Sequence, residues 1–350
     1  MLAAYRTDPD PGIHGAIDWL LRRRWNLGEE LDAVNKELAS PTLPTDRDWY
    51  VNGQGQTFSI IHGPIEFLMG STVESAGEAD RQPLENQHRR RIPRSYVIGT
   101  REVTVAEYVR FLEANADQVQ RFNESNGRPI TDWRGNEQFE QHIRTTDCAI
   151  GAVTLDEAMR YCNWLSKVEG IPKDQWAYPD EPGDGMKLAD DFLARGGYRL
   201  PTEGEWELAC RSGTISARPY GRSEKRLEDY AWYLENSGQK MHPVGSLKPN
   251  DLGLFDALGN ALEWCGDAYQ SRYPAGEAGS PLIDALVDAD YGEASARVVR
   301  GGSWNNDGRY SRSANRGRYT PENRFNNLGF RVAAVRSGQG GAQVDEHKIK

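Results

Sequence analysis

The chain has 350 residues, of which 38% are hydrophobic, enough to build one large domain with an extension or two ordinary domains and too many for a disordered chain. Its formal net charge of −10 gives no broad basic footprint for a phosphate backbone, so nucleic acid is not an expected partner. No apolar run approaches the roughly 20 residues needed to cross a bilayer and the N-terminus is charged where a signal peptide is apolar, so a cytoplasmic protein without membrane contact is expected.

In chain order, residues 1–46 predict a helical extension. Ile13, Ala16, Ile17, Leu20 and Leu21 recur at i, i+3, i+4, i+7 and i+8, and Leu27, Leu31, Val34 and Leu38 follow at similar spacing. The break at Asn26-Leu27-Gly28 makes this a hairpin, which ends near Ser40-Pro41. It would serve as a packing appendage, a docking element for a partner, or a remnant of a longer parent chain.

From 47 to 336 the texture changes to Gly- and Trp-rich segments with short alternating strands, such as Phe58-Ser59-Ile60-Ile61 and Glu66-Phe67-Leu68-Met69-Gly70. Three helices are placed by capping boxes, Thr104 with Glu107, Thr154 with Glu157 and Thr202 with Glu205. Their expected buried faces are Tyr108, Phe111 and Leu112; Ala158, Tyr161, Cys162 and Leu165; and Trp206 and Ala209. The stretches 179–185, 235–256 and 305–327 show little periodicity and are too long for idle connectors, a signature of loops that bind or catalyse. The last strand is predicted over Gly329-Phe330-Arg331-Val332-Ala333-Ala334, and 337–350 reads as a flexible tail.

Seven segments in order carry a family resemblance: Phe67-Leu68-Met69-Gly70-Ser71, Arg101-Glu102-Val103-Thr104, Tyr161-Cys162-Asn163-Trp164-Leu165-Ser166, Tyr198-Arg199-Leu200-Pro201-Thr202-Glu203-Gly204-Glu205-Trp206-Glu207, Gly259-Asn260-Ala261-Leu262-Glu263-Trp264, Arg300-Gly301-Gly302-Ser303-Trp304 and Gly329-Phe330-Arg331. Together they resemble the formylglycine-generating enzyme, or sulfatase-modifying factor, family. The resemblance implies an α+β, C-type-lectin-like fold with long ordered loops behind the N-terminal helical extension. Arg199 and Glu205 either pair inside that fold or sit at a solvated helix end.

Active members of the resembled family hold copper(I) with two cysteines, whose positions fall here on Asn306 and Ser311. Copper(I) selects sulfur, and an amide and a hydroxyl do not replace thiolates, so neither copper nor formylglycine chemistry is expected. Cys148, Cys162, Cys210 and Cys265 lie in other segments, form no Cys-x-x-Cys pair and read as reduced, mostly buried thiols. The six histidines, His14, His62, His88, His142, His242 and His347, show no i, i+3 or i, i+4 pair, so the iron site of a sulfoxide-synthase-like oxygenase is not expected either. His242 reads as a polar loop contact. The resemblance also implies a structural calcium ion on Asp256, Gly259, Ala261 and Glu263, two carboxylates and two carbonyls of the hard type calcium prefers. In the alternative, Glu263 and Asn260 only brace loops. The second calcium site of the family meets Trp232-Tyr233 here and is not carried over.

The segment 304–327 is dominated by Asn, Arg, Ser, Gly and Tyr, a paratope-like composition that combines rigid aromatic area with adaptable hydrogen bonding. Trp304, Asn305, Asn306, Asp307, Arg309, Tyr310, Arg316, Gly317, Tyr319 and Phe325 are the expected ligand-binding residues, with a protein as the target. The segment also resembles the variable region of proteins diversified by retroelements, in which adenine-rich Asn codons mutate to Tyr, Ser, Asp, Gly, Arg or Phe. The functional expectation is a non-catalytic ligand-binding protein on a lectin-type scaffold, diversified or fixed. The alternative is a non-haem metal-dependent oxidoreductase of the same family with an unrecognised active site.

Overall fold

The computed structural model describes residues 1–72, 82–117, 140–143, 145–273, 279–285, 290–291 and 295–335; the expected tail lies outside them. The extension holds three helices, α1 (Leu2–Thr7), α2 (Pro11–Arg23) and α3 (Gly28–Leu38). Asp10 caps α2 by accepting from the Ile13 amide, with Pro11 in the first turn, and Asn26 takes a left-handed φ of 55° at the break before α3. The buried face of α2 is Pro11, His14, Gly15, Asp18 and Leu21, whereas Ile13 and Ala16 face solvent, which corrects the apolar stripe. The reason is polar. Asp18 pairs with Arg101 of the main domain and with Arg22, and the His14 ring stacks between Tyr5 (4.2 Å) and Trp49 (3.5 Å). Gly15 permits the approach, because a Cβ there would lie 2.9 Å from Gly253 Cα.

The main domain follows with β1 (Trp49–Val51), β2 (Thr57–Ile61), β3 (Ile65–Met69), β4 (His88–Ile92), β5 (Tyr96–Gly99), α4 (Val105–Ala114), α5 (Leu155–Val168), β6 (Met186–Lys187), β7 (Tyr198–Arg199) and α6 (Glu203–Arg211). It closes with β8 (Leu262–Ala268), β9 (Leu282–Ile283), β10 (Asp290–Tyr291), β11 (Arg297–Arg300), β12 (Gly317–Tyr319), β13 (Leu328–Gly329) and β14 (Ala333–Val335). A sheet ordered β1-β2-β5-β14-β7 and a sheet ordered β12-β11-β8-β13 carry the architecture, with smaller sheets β3-β4-β9 and β10-β6 beside them. The class is mixed α+β.

All three capping boxes are reciprocal: Thr104, Thr154 and Thr202 accept from the amides of Glu107, Glu157 and Glu205, whose carboxylates return to the cap amides. The principal core joins Tyr108, Phe111, Tyr161, Leu165, Trp264 and Phe330, and Trp206 with Cys210 and Leu258 forms a second one under α6. The expected last strand is two strands in different sheets. Gly329 runs parallel to Glu263, Ala333 pairs with Ile98 and Arg199, and buried Arg331 sits between them, donating to the Gly99 and Phe255 carbonyls. No helix among the described residues is long and apolar enough to cross a membrane.

Candidate functional site

The segment 304–327 leaves β11 through Gly301 and Gly302, both at positive φ (99° and 79°), where a Cβ on Gly301 would meet the Trp206 ring at 3.4 Å. This turn buries Ser303 and Trp304. The Trp304 ring packs with Cys148 and Met241 and stacks on His142 at 4.8 Å, while its carbonyl accepts from Ser237 Oγ. Trp304 is therefore part of the floor, not a contact residue as expected.

Asn305 and Asn306 emerge next, exposed and half-buried, with both side-chain oxygens 2.8 Å from Ser303 Oγ. Buried Asn327 donates through Nδ2 to Asn305 Oδ1 at 2.7 Å. Asp307 caps a short turn over Gly308–Tyr310, and a Cβ on Gly308 would press to 2.9 Å from Leu227. Arg309 is exposed, 3.8 Å from Asp307 and 5.0 Å over the Tyr310 ring.

Ser311 to Arg316 turn inward without interruption. Arg312 makes two bonds to the buried carboxylate of Glu85, at 2.7 and 2.8 Å. Arg316 is 5% exposed and its guanidinium grips Glu203 at 2.5 and 3.0 Å, so it too is removed from the expected contact set. Arg300 donates to the Asn315 carbonyl and pairs with Glu207. Burial alone would raise the Glu203 and Glu207 carboxyls, but Arg316 and Arg300 on the first, and Arg211 and Arg300 on the second, hold both below the ordinary glutamate range.

Gly317 opens β12, where a Cβ would lie 2.7 Å from Val299 Cγ2, so its role is close packing. Tyr319 stands edge-on to Trp264 and 4.7 Å from Phe325, which is 41% exposed. The returning loop clamps on the start of α5. The Phe325 carbonyl accepts from Ala152 N, the Pro321 carbonyl from Leu155 N, and Arg324 pairs with Glu157 at 2.7 Å. The displayed side chains thus form three groups: Tyr319 with Phe325; Asn305 with Asn306; and Asp307, Arg309 and Tyr310. Sequence reasoning missed Asn327, Ser303 and Ala152, which hold these groups in place. Only the positions of Ser303 and Asn327 beside the Gly-Gly and Leu-Gly-Phe-Arg motifs hinted at them.

At the copper positions, Asn306 bonds to Ser303 and Ser311 is fully buried. All four cysteines are buried and unbridged, and burial pushes Cys210 up to about 11 and Cys162 and Cys265 upward as well, which disfavours thiolates. His242 stacks on Trp232 at 3.6 Å and reaches the Ser237 carbonyl at 2.8 Å. Arg199 and Glu205 form a fully buried, two-bond pair at 2.6 and 2.7 Å.

Of the residues expected to hold calcium, Gly259 and Ala261 flank Asn260 in the chain. Asp256, at φ 52°, accepts from the Gly245 amide through Oδ2, while its buried Oδ1 has no hydrogen-bond partner. Glu102, buried beside it, accepts from Asn260 Nδ2 and the Ala261 amide. Burial raises Asp256 to about 6 and Glu102 well above its usual range, with Asp256 and Glu263 adding to the rise of Glu102. Arg331, Arg101 and Arg23 only partly offset the burial of Asp256, and its orphaned Oδ1 suits a hard cation. Glu263 fits less well: Arg331 holds both of its oxygens at 2.6 Å and Trp206 donates to one of them. Among the described residues no group of three or more His, Cys, Asp and Glu is gathered to hold a metal, so backbone carbonyls would have to complete the shell. Asn260 also braces loops, accepting from the amides of His242 and Trp304 and donating to the Trp232 carbonyl.

Residues 51–336 match the sulfatase-modifying factor enzyme 1-like domain. The formylglycine-generating enzyme of Streptomyces coelicolor is 33% identical over 193 residues, which make up 50% of this chain and 59% of that enzyme. The inactive C-alpha-formylglycine-generating enzyme 2 of Mus musculus is 31% identical over 192 residues, 47% of this chain and 56% of that protein. The chain thus spans under two thirds of the length of both. Among solved structures, Treponema denticola variable protein 1 superposes with a TM-score of 0.57 at 26% identity, covering 80% of this chain and 95% of that one.

Proposed function

The chain belongs to the family of the sulfatase-modifying factor enzyme 1-like domain, and from that premise we propose that it is a non-catalytic ligand-binding protein of the variable type. The observation that carries this reading is the division of the 304–327 segment. A floor from Ser311 to Arg316 is fixed by buried ion pairs, and on either side of it stand Asn305, Asn306, Asp307, Arg309, Tyr310, Tyr319 and Phe325. Such an arrangement lets contact residues change without disturbing the scaffold, and the rigid aromatic and adaptable polar side chains suit a protein target. The likeness to Treponema denticola variable protein 1 supports diversification, and the Asn and Ser at the copper positions support a binding role. Calcium, held by Asp256 Oδ1 and the carbonyls of Gly259 and Ala261 with what remains of Glu263, would neutralise the acidic pocket and brace the loops below the surface.

Sequencing the coding region of 304–331 and its flanking DNA from several isolates tests the proposal. Expected are adenine-derived differences at exposed or half-buried positions such as Asn305, Asn306, Asp307, Arg309, Tyr310, Tyr319 and Phe325, none at Gly308 or 311–317, and a nearby template copy beside a reverse transcriptase. An invariant segment with no template copy overturns diversification. Stoichiometric copper or iron in the purified protein, or conversion of a Cys-containing sulfatase peptide to formylglycine, overturns the non-catalytic reading.

A further inference from the structure

We propose that the outer edge of β12 receives an extended segment of a partner protein, antiparallel to it, with an Asp or Glu opposite Arg318; the inference rests on the binding reading of this same segment. β12 is the edge strand of its sheet and pairs with β11 alone. The Tyr269 amide donates to the Ala296 carbonyl at 2.7 Å, so Ala296 faces β8 and, by the alternation of an antiparallel strand, Arg297 and Val299 turn their N–H and C=O groups to β12. The far end agrees. Leu262 gives its amide to the Asn327 carbonyl, on the β13 side, so Glu263 faces its partner Arg300, and Val299 again turns to β12. Tyr319 and Gly317, opposite Arg297 and Val299, are thereby engaged inward. Arg318 between them turns its own N–H and C=O outward, where among the described residues neither meets a partner.

An outward N–H and C=O on one residue are the complement of one residue of an antiparallel neighbour, which returns a C=O and an N–H to them; a carboxylate or phosphate would answer only the donor. The side chain sets which residue that is. Arg318 is exposed, its guanidinium lies 5.1 Å over the Tyr269 ring, and among the described residues no carboxylate pairs with it. Residues directly opposite each other share a face, so an acid at that position lies beside the guanidinium. The residue before the acid falls opposite Tyr319, on the other face, where the Tyr319 ring packs 4.7 Å from exposed Phe325 and suits an apolar or aromatic side chain. A second copy of this chain is disfavoured at the same edge, since pairing two β12 strands about Arg318 sets like charges opposite each other.

The test offers random-sequence peptides on phage to the full chain and follows the enriched sequence, as a synthetic peptide, by calorimetric titration. Enriched sequences are expected to carry Asp or Glu directly preceded by an aromatic or aliphatic residue. Exchanging the backbone N–H of that acid for an ester oxygen removes the donor to the Arg318 carbonyl and should weaken binding about fivefold. The same exchange at the preceding residue, whose N–H points away from β12, should change it by less than about twofold. Arg318→Glu should cost at least about tenfold with an unchanged melting temperature, and a peptide with Lys in place of its acid should regain most of that loss on the variant. Neutral enriched peptides, equal effects of the two ester exchanges, or no enrichment at all would sink the edge pairing, and the variable-surface reading would still stand or fall on the sequencing of isolates. A concentration-dependent dimer of the chain, seen by sedimentation and dissolved by the peptide, would assign the edge to a second copy and overturn the partner class.

Discussion

Arg309 and Arg316 are the same residue type in the same segment, and their surroundings make them opposites. Arg316 is buried against Glu203, so Arg316→Ala leaves that buried carboxylate with the more distant Arg300, at 3.7 Å, as its ion-pair partner and should lower stability by about 3 kcal/mol in urea denaturation. Arg309 is exposed beside an exposed Asp307, and Arg309→Ala should change stability by less than about 0.5 kcal/mol in the same assay. Equal losses would mean that the floor and the surface are not distinct. The composition of the segment does not separate Arg309 from Arg316, because the deciding partners, Glu203 and Glu85, come from far upstream. Trp304 was misplaced for the same reason: its pocket is made by Cys148, Met241 and His142.

At the scale of elements, what was legible was local. A Thr with a Glu in the third helical position satisfies amides within the same turn, so α4, α5 and α6 could be read from a few residues each. Thr202→Ala should cost more than Thr104→Ala. The loss of an ordinary cap is about 1 kcal/mol, and the Thr202 hydroxyl also donates to buried Asp284 at 2.8 Å. Thermal denaturation of the two variants checks the order, and equal shifts would remove Asp284 from the account. What was not legible is settled by distant partners. The split between β13 and β14 depends on Arg331 reaching Glu263, Gly99 and Phe255, and the polar buried face of α2 depends on Arg101 and Trp49. The six-residue α1, with no side-chain cap, gave too short a pattern to detect.

Across the whole molecule, α6 is the electrostatic hub. Glu203, Glu205 and Glu207 point to Arg316, to Arg199 and Arg94, and to Arg211 and Arg300, tying the 304–327 segment to two sheets. Its titration shapes the pH dependence of stability. Burial tends to raise Glu205, yet Arg199 and Arg94 more than offset it and hold the carboxyl at about 2, so its contribution is present above the unfolded value and is lost as pH falls towards 2. Asp267 is raised to about 7 by burial and by Asp284, so its contribution is full below its unfolded value and is lost as pH rises through 7. Melting temperature should therefore peak on the acid side of neutrality, and Asp267→Asn should flatten the fall from that peak up to pH 7 while leaving the acid limb unchanged. A scan that shows the same slope over that range in both proteins would exclude Asp267 as its source.

The inward course of Ser311 to Arg316 has one more consequence, for how sequence change is tolerated. The exposed positions on either side share few partners with one another, and the groups that hold the backbone in place lie beneath all of them. Their substitutions should then combine independently, with the stability effects of distant positions adding to within about 0.3–0.5 kcal/mol. A library that randomises Asn305, Arg309, Tyr319 and Phe325 together should keep most members folded, with losses no larger than the single changes add up to; Tyr319 with Phe325, in ring contact, is the one pair expected to depart from that rule.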